Sequence, residues 1–498
     1  MFWDSLWQAM LLVITPLNSL SILLGTLVGI IVGAIPGVGP ALGVALALPF
    51  TFQMDTLLAL LFLVSLYDGA MYGGSISSIL INTPGDGSAA ATTLEGFPMA
   101  RQGKAMTALS ITATASALGG FIGDIIAIFV SIFMIPVLLL FGTPEYFLIA
   151  ILGIILVSLV AQGAFYKGLI SGVLGLTLTV IGIAHVSTAD VRFTFNSLAL
   201  YDGIHFLPVL LGLFGVATMA QLSGESKQHI SQIESLGGSR IEGVLITLRH
   251  WKSLIKSSII GFIIGSIPGT GGTVANFISY GEAVRSSKNR DAFGKGNPVG
   301  LIATESANNA QIDGALLPTL LFGIPGSATT ALVLAAMLLH GLRPGAGLFT
   351  GDGYVITLSL FLGLLYSEIM IIAFGLGTVR ILGMITKIDK HLIIPFVIIT
   401  AMLGIFSLHF NWLDLIVMAG SGILGFIMQK YGYPIIPAVL GVILGGIIEE
   451  NLMRTINLGG GNLSLLVTRP VSLILLILIV ASIITPFAAG LLKNIKKG

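Results

Sequence analysis

The chain contains no cysteine and very little charge. Without cysteine it has no disulfides, no thiolate metal site and no thiol nucleophile. Charged residues make up 9% of its 498 residues, where a soluble domain carries about 25%. The net charge of +1 argues against a nucleic-acid surface. The apolar stretches are continuous and do not alternate with polar residues, which argues against an outer-membrane β-barrel. Met1-Phe2-Trp3-Asp4 carries no basic region, and no small-residue cleavage site follows its apolar stretch. The N-terminus therefore reads as retained.

What is abundant is apolar sequence. Hydrophobic residues reach 55%, mean hydropathy is +1.02 and there are 64 glycines. Runs of about 20 apolar residues recur along the length, so the fold class is all-α, a polytopic membrane helix bundle in the lipid bilayer. The glycines suit close helix packing and broken helices.

Two Pro-Gly breaks interrupt this apolar sequence, each occurring twice. Gly33-Ala34-Ile35-Pro36-Gly37-Val38-Gly39-Pro40 is echoed by Gly265-Ser266-Ile267-Pro268-Gly269-Thr270-Gly271-Gly272. Asn82-Thr83-Pro84-Gly85-Asp86-Gly87-Ser88 is echoed by Gly323-Ile324-Pro325-Gly326-Ser327. The offsets are 232 residues (36 to 268) and 241 residues (84 to 325). Interrupted apolar segments at matching places in two halves point to a transporter's binding site. The chain accordingly divides into transmembrane repeat 1 (1–222), a cytoplasmic linker (223–256), transmembrane repeat 2 (257–450) and an extra C-terminal helix with a cytoplasmic tail (451–498).

Basic residues set the orientation. With the linker in the cytoplasm, only Arg192, Arg343, Arg454 and Arg469 of the 23 lysines and arginines fall outside. Segment 254–280 must then return to its own side as a re-entrant hairpin or two short helices. The loop after the second break is cytoplasmic in half one (Arg101, Lys104) and external in half two (Arg343). The repeats are therefore expected to be inverted.

Proline lacks an amide hydrogen and glycine tolerates positive φ, so Pro-Gly ends a helix. Freed amides at a half-helix N-terminus attract anions, and freed carbonyls attract Na⁺. The expected substrate-binding residues are Pro36, Gly37, Gly39, Ser75, Ser77, Ser78, Asn82, Thr83, Pro84 and Gly85 in half one. In half two they are Pro268, Gly269, Thr270, Gly271, Thr273, Asn308, Asn309, Pro325, Gly326 and Ser327. No lysine or arginine lies within the break motifs, so an anion would be held by amides, hydroxyls and helix dipoles. Of the acids in or beside apolar segments (Asp68, Asp86, Asp124, Glu305, Asp313, Glu368), Asp86, Glu305 and Asp313 are expected to couple a transported Na⁺ or H⁺. No cofactor or resident metal is expected. His185, His205, His340, His391 and His409 have no ligand spacing and read as interface residues. Trp3, Trp7, Trp251 and Trp412 suit an aromatic belt.

At these residues the chain resembles the large membrane subunit of tripartite tricarboxylate transporters, the TctA family. The resemblance rests on Gly33–Pro40, on Tyr72-Gly73-Gly74-Ser75 through Pro84-Gly85 to Glu95-Gly96-Phe97-Pro98, on Gly265–Gly272, and on Glu305-Ser306-Ala307-Asn308-Asn309-Ala310 followed by Phe322-Gly323-Ile324-Pro325-Gly326. It implies a bacterial inner-membrane permease that takes up citrate-like di- or tricarboxylates with an ion gradient. It also implies two partners, a small four-helix membrane subunit and a periplasmic substrate-binding protein.

Two rival readings are a channel, which needs a ring of selectivity groups, and an intramembrane aspartyl protease. For the latter, Tyr67-Asp68 and Gly85-Asp86 have the wrong flanking residues, and Pro40-Ala41-Leu42 precedes both acids where it should follow them. No Gly-Lys-Ser/Thr sequence is present, which disfavours transport driven by ATP on this chain alone.

Overall fold

The computed structural model describes residues 2–161, 164–184, 190–224, 237–377 and 390–495. His185, Lys227, Arg380, Lys387, Lys496 and Lys497 lie outside the described residues, as do the side chains of Lys390, His391 and Lys493.

The structure is a helix bundle. Half one contains α1 (Phe2–Val13), α2 (Pro16–Ala34), α3 (Pro40–Thr51), α4 (Thr56–Ile81), α5 (Thr93–Met99), α6 (Ala105–Leu138), α7 (Thr143–Val160) and α8 (Phe165–Thr179). A short hairpin, β1 (Gly182–Ile183) with β2 (Val191–Arg192), leads to α9 (Phe206–Leu210) and α10 (Ala217–Gly224), which are joined by a wider helical turn. Half two contains α11 (Arg240–Arg249), α12 (Trp251–Gly265), α13 (Gly271–Ser286), α14 (Pro298–Phe322), α15 (Ala328–Leu339) and α16 (Gly351–Gly377). It continues with α17 (Lys390–His409), α18 (Trp412–Lys430), α19 (Ile435–Leu458), α20 (Leu465–Thr468) and α21 (Pro470–Ile495). Among the described residues, nine helices are long and apolar enough to cross a membrane.

The sequence predicts apolar segments at about 10–35 and 165–186 beside the linker at 223–256, and all three differ in the structure. The first apolar run splits at Pro16, which starts α2. The run after Lys167 stops at Thr179 and gives way to the hairpin. The polar stretch at 223–256 is not all linker. Ser239 accepts the Glu242 amide and so caps α11, and α12 begins at Trp251.

Segment 254–280 is two short helices, α12 and α13, turned at Ser266–Thr270. Fifteen residues reach only about 22 Å, short of the roughly 30 Å hydrocarbon core. The sequence from α2 to α3 makes the same kind of turn.

Backbone contacts recur between the halves at the two sequence offsets. Gly29 and Gly33 on α2 sit against the carbonyls of Leu66 and Ala70 on α4, leaving no room for a Cβ. Gly261 and Gly265 on α12 sit in the same way against Ala307 and Gln311 on α14. Small residues allow this close approach where lipid offers no hydrophobic drive. The turns match as well. Ile35 N donates to Val32 O at 3.1 Å and Ile267 N to Ile264 O at 3.1 Å. Gly37 and Gly269 take φ of 76° and 80°, which glycine alone adopts without cost. Asn82 and Gly323 end α4 and α14 in the left-handed region, at φ 55° and 70°. Thr83 N then donates to Ser77 O, and Ile324 N to Pro318 O.

α4 and α14 cross in opposite directions. Along their contact Tyr67 meets Gln311, Asp68 meets Asn309, Met71 meets Asn308 and Ser75 meets Glu305. α14 also packs on α6, as α4 packs on α16. The four arginines assigned to the outside are all ion-paired: Arg192 to Glu449 (2.9 Å), Arg343 and Arg454 to Glu450 (3.0 and 2.5 Å), and Arg469 to Glu145 (2.7 Å).

Candidate functional site

A cavity of about 580 Å³ lies between the paired breaks. That volume suits a small-molecule site. Its walls hold the first turns of three helices: Gly39–Leu42 of α3, Gly271–Val274 of α13, and Ser327–Thr329 of α15. Asp86 and Ser88, at the start of a short 3-10 turn (Ser88–Ala90), complete this set of helix starts. Among the described residues, no lysine or arginine lines it.

The four helix starts fall into two kinds. α3 and α13 have no side-chain cap. Pro40 has no amide hydrogen and Gly271 N donates to Gly326 O at 3.2 Å, so the amides of Ala41 and Leu42 and of Gly272 and Thr273 are the ones left for another acceptor. The starts after the second breaks are capped from within. Asp86 Oδ1 accepts the amides of Ser88 (3.2 Å) and Ala89 (3.3 Å) and the Ser88 hydroxyl (2.5 Å). Ser327 Oγ accepts the Thr330 amide at 3.1 Å, and Thr330 Oγ1 accepts the Ser327 amide at 2.9 Å. Asp86 and Ser327 are equivalent at the 241-residue offset. Tyr67 Oη lies 3.2 Å from Ser327 Oγ and accepts Gln311 Nε2 at 3.2 Å. The two residues thus tie α4 and α14 together in the cavity wall.

The expected residues separate by role. Gly39, Asp86, Gly269, Thr270, Gly271, Thr273 and Ser327 line the cavity. Pro36, Gly37, Pro268 and Pro325 shape the turns behind it. Gly85 and Gly326 lock the breaks, since a Cβ on either would overlap the carbonyl of Gly33 or Gly265. Asn82 and Thr83 terminate α4. Ser77 and Ser78 donate to the Gly74 carbonyl, and Ser78 also to the Ala89 carbonyl. Asn308 Oδ1 accepts Asn276 Nδ2 at 2.8 Å, holding α13 on α14. Asn309 donates to Asp68 and Glu368.

A family model described as "Tripartite tricarboxylate transporter TctA family" matches residues 20–440. The chain belongs to the TctA family. The match spans both halves and every break described above. The chain is 32% identical over 438 residues to a 52.8 kDa uncharacterized protein of Agrobacterium vitis from the TAR-I ttuC′ 3′ region. That alignment covers 86% of this chain and 85% of the relative. A second uncharacterized protein of the same organism, from the TAR-II ttuC′ 3′ region, is 31% identical over 220 residues, covering 43% of this chain and 89% of the relative. No solved structure matches. The chain is thus a multi-pass membrane protein of a transporter family.

Family membership does not make every motif residue part of a TctA cavity. Glu95 is fully buried and accepts Tyr280 Oη (2.8 Å) and the amides of Gly294, Gly296 and Asn297. It anchors the loop that leads into α14. Glu305 is likewise buried and satisfied, accepting hydroxyls from Ser75 (2.8 Å), Ser116 (2.9 Å) and Thr92. Of the three acids expected to bind the coupling ion, Asp313 alone retains a buried oxygen without a donor.

Two groupings escaped the sequence reading. His205 and His409 are not isolated. Their rings stack at 4.1 Å, and each Nδ1 faces one oxygen of Asp414, at 3.1 and 2.9 Å. Their ligand atoms are close enough together to hold a metal ion. Separations of 204 and 5 residues gave no ligand spacing to find. Tyr67, Thr218 and Gln221 line the cavity but sit in ordinary helical sequence, unlike Gln311, which lines it from the polar run Glu305–Asp313. Only the 241-residue offset, which relates Tyr67 to Asn308, marks one of them.

Proposed function

We propose that this chain is the permease subunit of a binding-protein-dependent secondary transporter. It takes up citrate-like di- or tricarboxylates across the bacterial inner membrane, driven by an ion gradient. The observation that carries this reading is the convergence of four helix starts on one cavity without a cationic side chain. The α-helical starts of α3, α13 and α15 each present roughly half a positive charge. Two of the four are left uncapped by the protein, which suits a ligand with more than one carboxylate. In this reading a small four-helix membrane subunit and a periplasmic binding protein work with the chain, as the family implies.

The two halves form an inverted repeat in this reading. The support is that α4 and α14, which share a left-handed end and a following Pro-Gly, run antiparallel. They also touch at Asp68 and Asn309, residues equivalent at the 241-residue offset. An axis in the membrane plane relates such helices. Rocking about that axis would alternate access to the cavity. The cavity wall extends to Gln429, Gly432 and Tyr433 between α18 and α19, beside Lys167, which donates to Tyr431 O. With the basic residues inside, this end of the wall is the cytoplasmic one in this reading.

The test is uptake into proteoliposomes. The chain, the small subunit and the binding protein are reconstituted together and offered labelled citrate, succinate and malate under a Na⁺ or a proton gradient. Uptake of at least one carboxylate is expected, and omission of any subunit should abolish it. Gradient-independent flux through the chain alone would favour a channel. In the cysteine-free chain, Ser287→Cys should resist impermeant thiol reagents from outside and Asn462→Cys should label. Labelling of the former from outside would remove the inverted topology.

A further inference from the structure

Behind the cavity wall, α4, α6, α14 and α16 bring four carboxylates together. Asp68, Asp124, Asp313 and Glu368 are all buried, at 0–3% exposure, and they interact electrostatically. The hub is Asn309. Its Nδ2 donates to Asp68 Oδ1 at 2.9 Å and to Glu368 Oε1 at 3.3 Å, and Ser367 Oγ donates to Asp68 Oδ2 at 2.6 Å. The neighbouring helix leaves space for this group. A Cβ on Gly120 would overlap Glu368 Oε1, and one on Gly123 would overlap Asp313 Oδ2.

The donors run out before the acceptors do. Both oxygens of Asp124, Oδ1 of Asp313, Oε2 of Glu368 and the amide Oδ1 of Asn309 are buried without a hydrogen-bond partner. The orphan Asn309 oxygen is independent of the acids. It belongs to a neutral side chain whose amide nitrogen is already committed to two carboxylates, so exchanging its N and O would turn an oxygen onto them. Among the described residues no ion pair reaches these four acids, and the cations of the packed helices α12 and α13 include Lys256 and Arg285, which pair with Glu282 instead. α4, α6, α14 and α16 contain no lysine, arginine or histidine, and α2, which packs on α4 and α16, contains no ionisable residue. The other ionisable group facing the acids is Tyr67, beside Asp313. Buried unpaired carboxylates cost several kcal/mol each, and neighbouring carboxylates cannot all ionise.

We infer that Asp68, Asp124, Asp313 and Glu368, with Asn309 at their centre, form a proton-loading site of this transporter. Protons meet both deficits. Each neutralises one carboxylate, and each O–H supplies a donor to an orphan oxygen. A single Na⁺ would leave three buried negative charges. The site adjoins the cavity through its helices: Tyr67 precedes Asp68, and Gln311 lies between Asn309 and Asp313. The inference rests on the proposed carboxylate-binding cavity for its role in transport. There the protons would reduce the repulsion met by an entering anion, and by linkage a bound anion would favour protonation.

Infrared spectroscopy of the full chain in lipid nanodiscs tests this without transport. At neutral pH the wild type should show a carboxylic-acid C=O band. Asp124→Asn with Glu368→Gln should remove much of it, while Ser158→Ala, whose hydroxyl bonds a helix carbonyl and no carboxylate, should leave it. The unfolding temperature is the second readout. The native state holds extra protons in this proposal, so its added stability is present in acid and is lost as pH rises. That loss should be shallower in the double variant, whose neutral isosteres keep the side-chain volume. If the variant fails to fold, absence of the wild-type acid band at neutral pH still overturns the inference. An unchanged band or pH slope in the folded variant overturns it too. Stabilisation by Na⁺ at fixed pH that disappears in the variant would make this a sodium site, against the proton assignment. Failure of every carboxylate in the uptake panel, with the acid band intact, would instead remove the cavity reading and leave the protonated cluster.

Discussion

The breaks at Pro84-Gly85 and Pro325-Gly326 share a backbone and differ in one chemical respect. Both follow a left-handed helix end, both press a glycine on a carbonyl of the preceding hairpin, and both open a new helix start on the cavity. Half one caps that start with Asp86, a carboxylate held by two amides and a hydroxyl. Half two caps it with Ser327, which is neutral. The built-in carboxylate of half one shows what its geometry accommodates. The second start is capped by a hydroxyl alone. In the proposed reading the symmetric backbone therefore carries an asymmetric field: Asp86 neutralises one side, while the other and the starts of α3 and α13, which have no side-chain cap, would receive the anion.

The shared backbone is the first thing to break. Gly85→Leu and Gly326→Leu each drive a side chain into a carbonyl of the packed hairpin, where overpacking costs about 1–3 kcal/mol or more. Each should abolish uptake while immunoblots still find the chain in the membrane fraction. Wild-type uptake from either would reduce the breaks to ordinary kinks.

The chemical difference comes next. Ser327→Asp copies half one into half two and sets a negative charge among the cavity amides. The apparent KM for a transported carboxylate should rise about tenfold or more, equivalent to roughly 1.4 kcal/mol. Asp86→Asn keeps a good cap and removes a negative charge, so KM should stay near wild type or fall. The reverse ranking would mean that the ligand sits against half one.

Single neutral groups should matter less. Ser327→Ala removes a cap and a contact with Tyr67, and Thr273→Ala removes a hydroxyl from the wall. Each should cost about 0.5–2 kcal/mol, read as a severalfold change in KM. Arg101→Gln and Arg343→Gln should have the smallest effect. Arg343 pairs with Glu450 away from the cavity lining, and exposed ion pairs contribute about 0–1 kcal/mol. A large loss of carboxylate affinity from either would move the site.

Much of this comparison is visible in the amino-acid sequence because Pro-Gly constrains the backbone locally. The offsets of 232 and 241 residues mark the turns, the left-handed ends and the equivalence of Asp86 with Ser327. The inversion expected from the lysines and arginines remains a proposal, for which the antiparallel pair α4 and α14 is the support. What the sequence does not show is which polar groups satisfy one another. Asp86, Glu305 and Asp313 look alike as acids in apolar sequence. Only packing reveals that hydroxyls from α4, α6 and the turn at Thr92 satisfy Glu305. In the same way, Asp313 shares its surroundings with Asp124, Glu368 and Asn309, from three helices. His205, His409 and Asp414 meet for the same reason, through a tertiary contact that no short motif encodes.

Substrate protection of a single cysteine tests the central claim most directly. Thr273→Cys places a thiol in the cavity wall of a chain that has none, and Ser287→Cys provides a control beyond the end of α13. The carboxylate identified by the uptake panel should slow labelling of the cysteine at 273 and leave that at 287 unchanged. Equal labelling at 273 with and without the transported carboxylate, in a variant that still transports it, would contradict a binding site between the paired breaks.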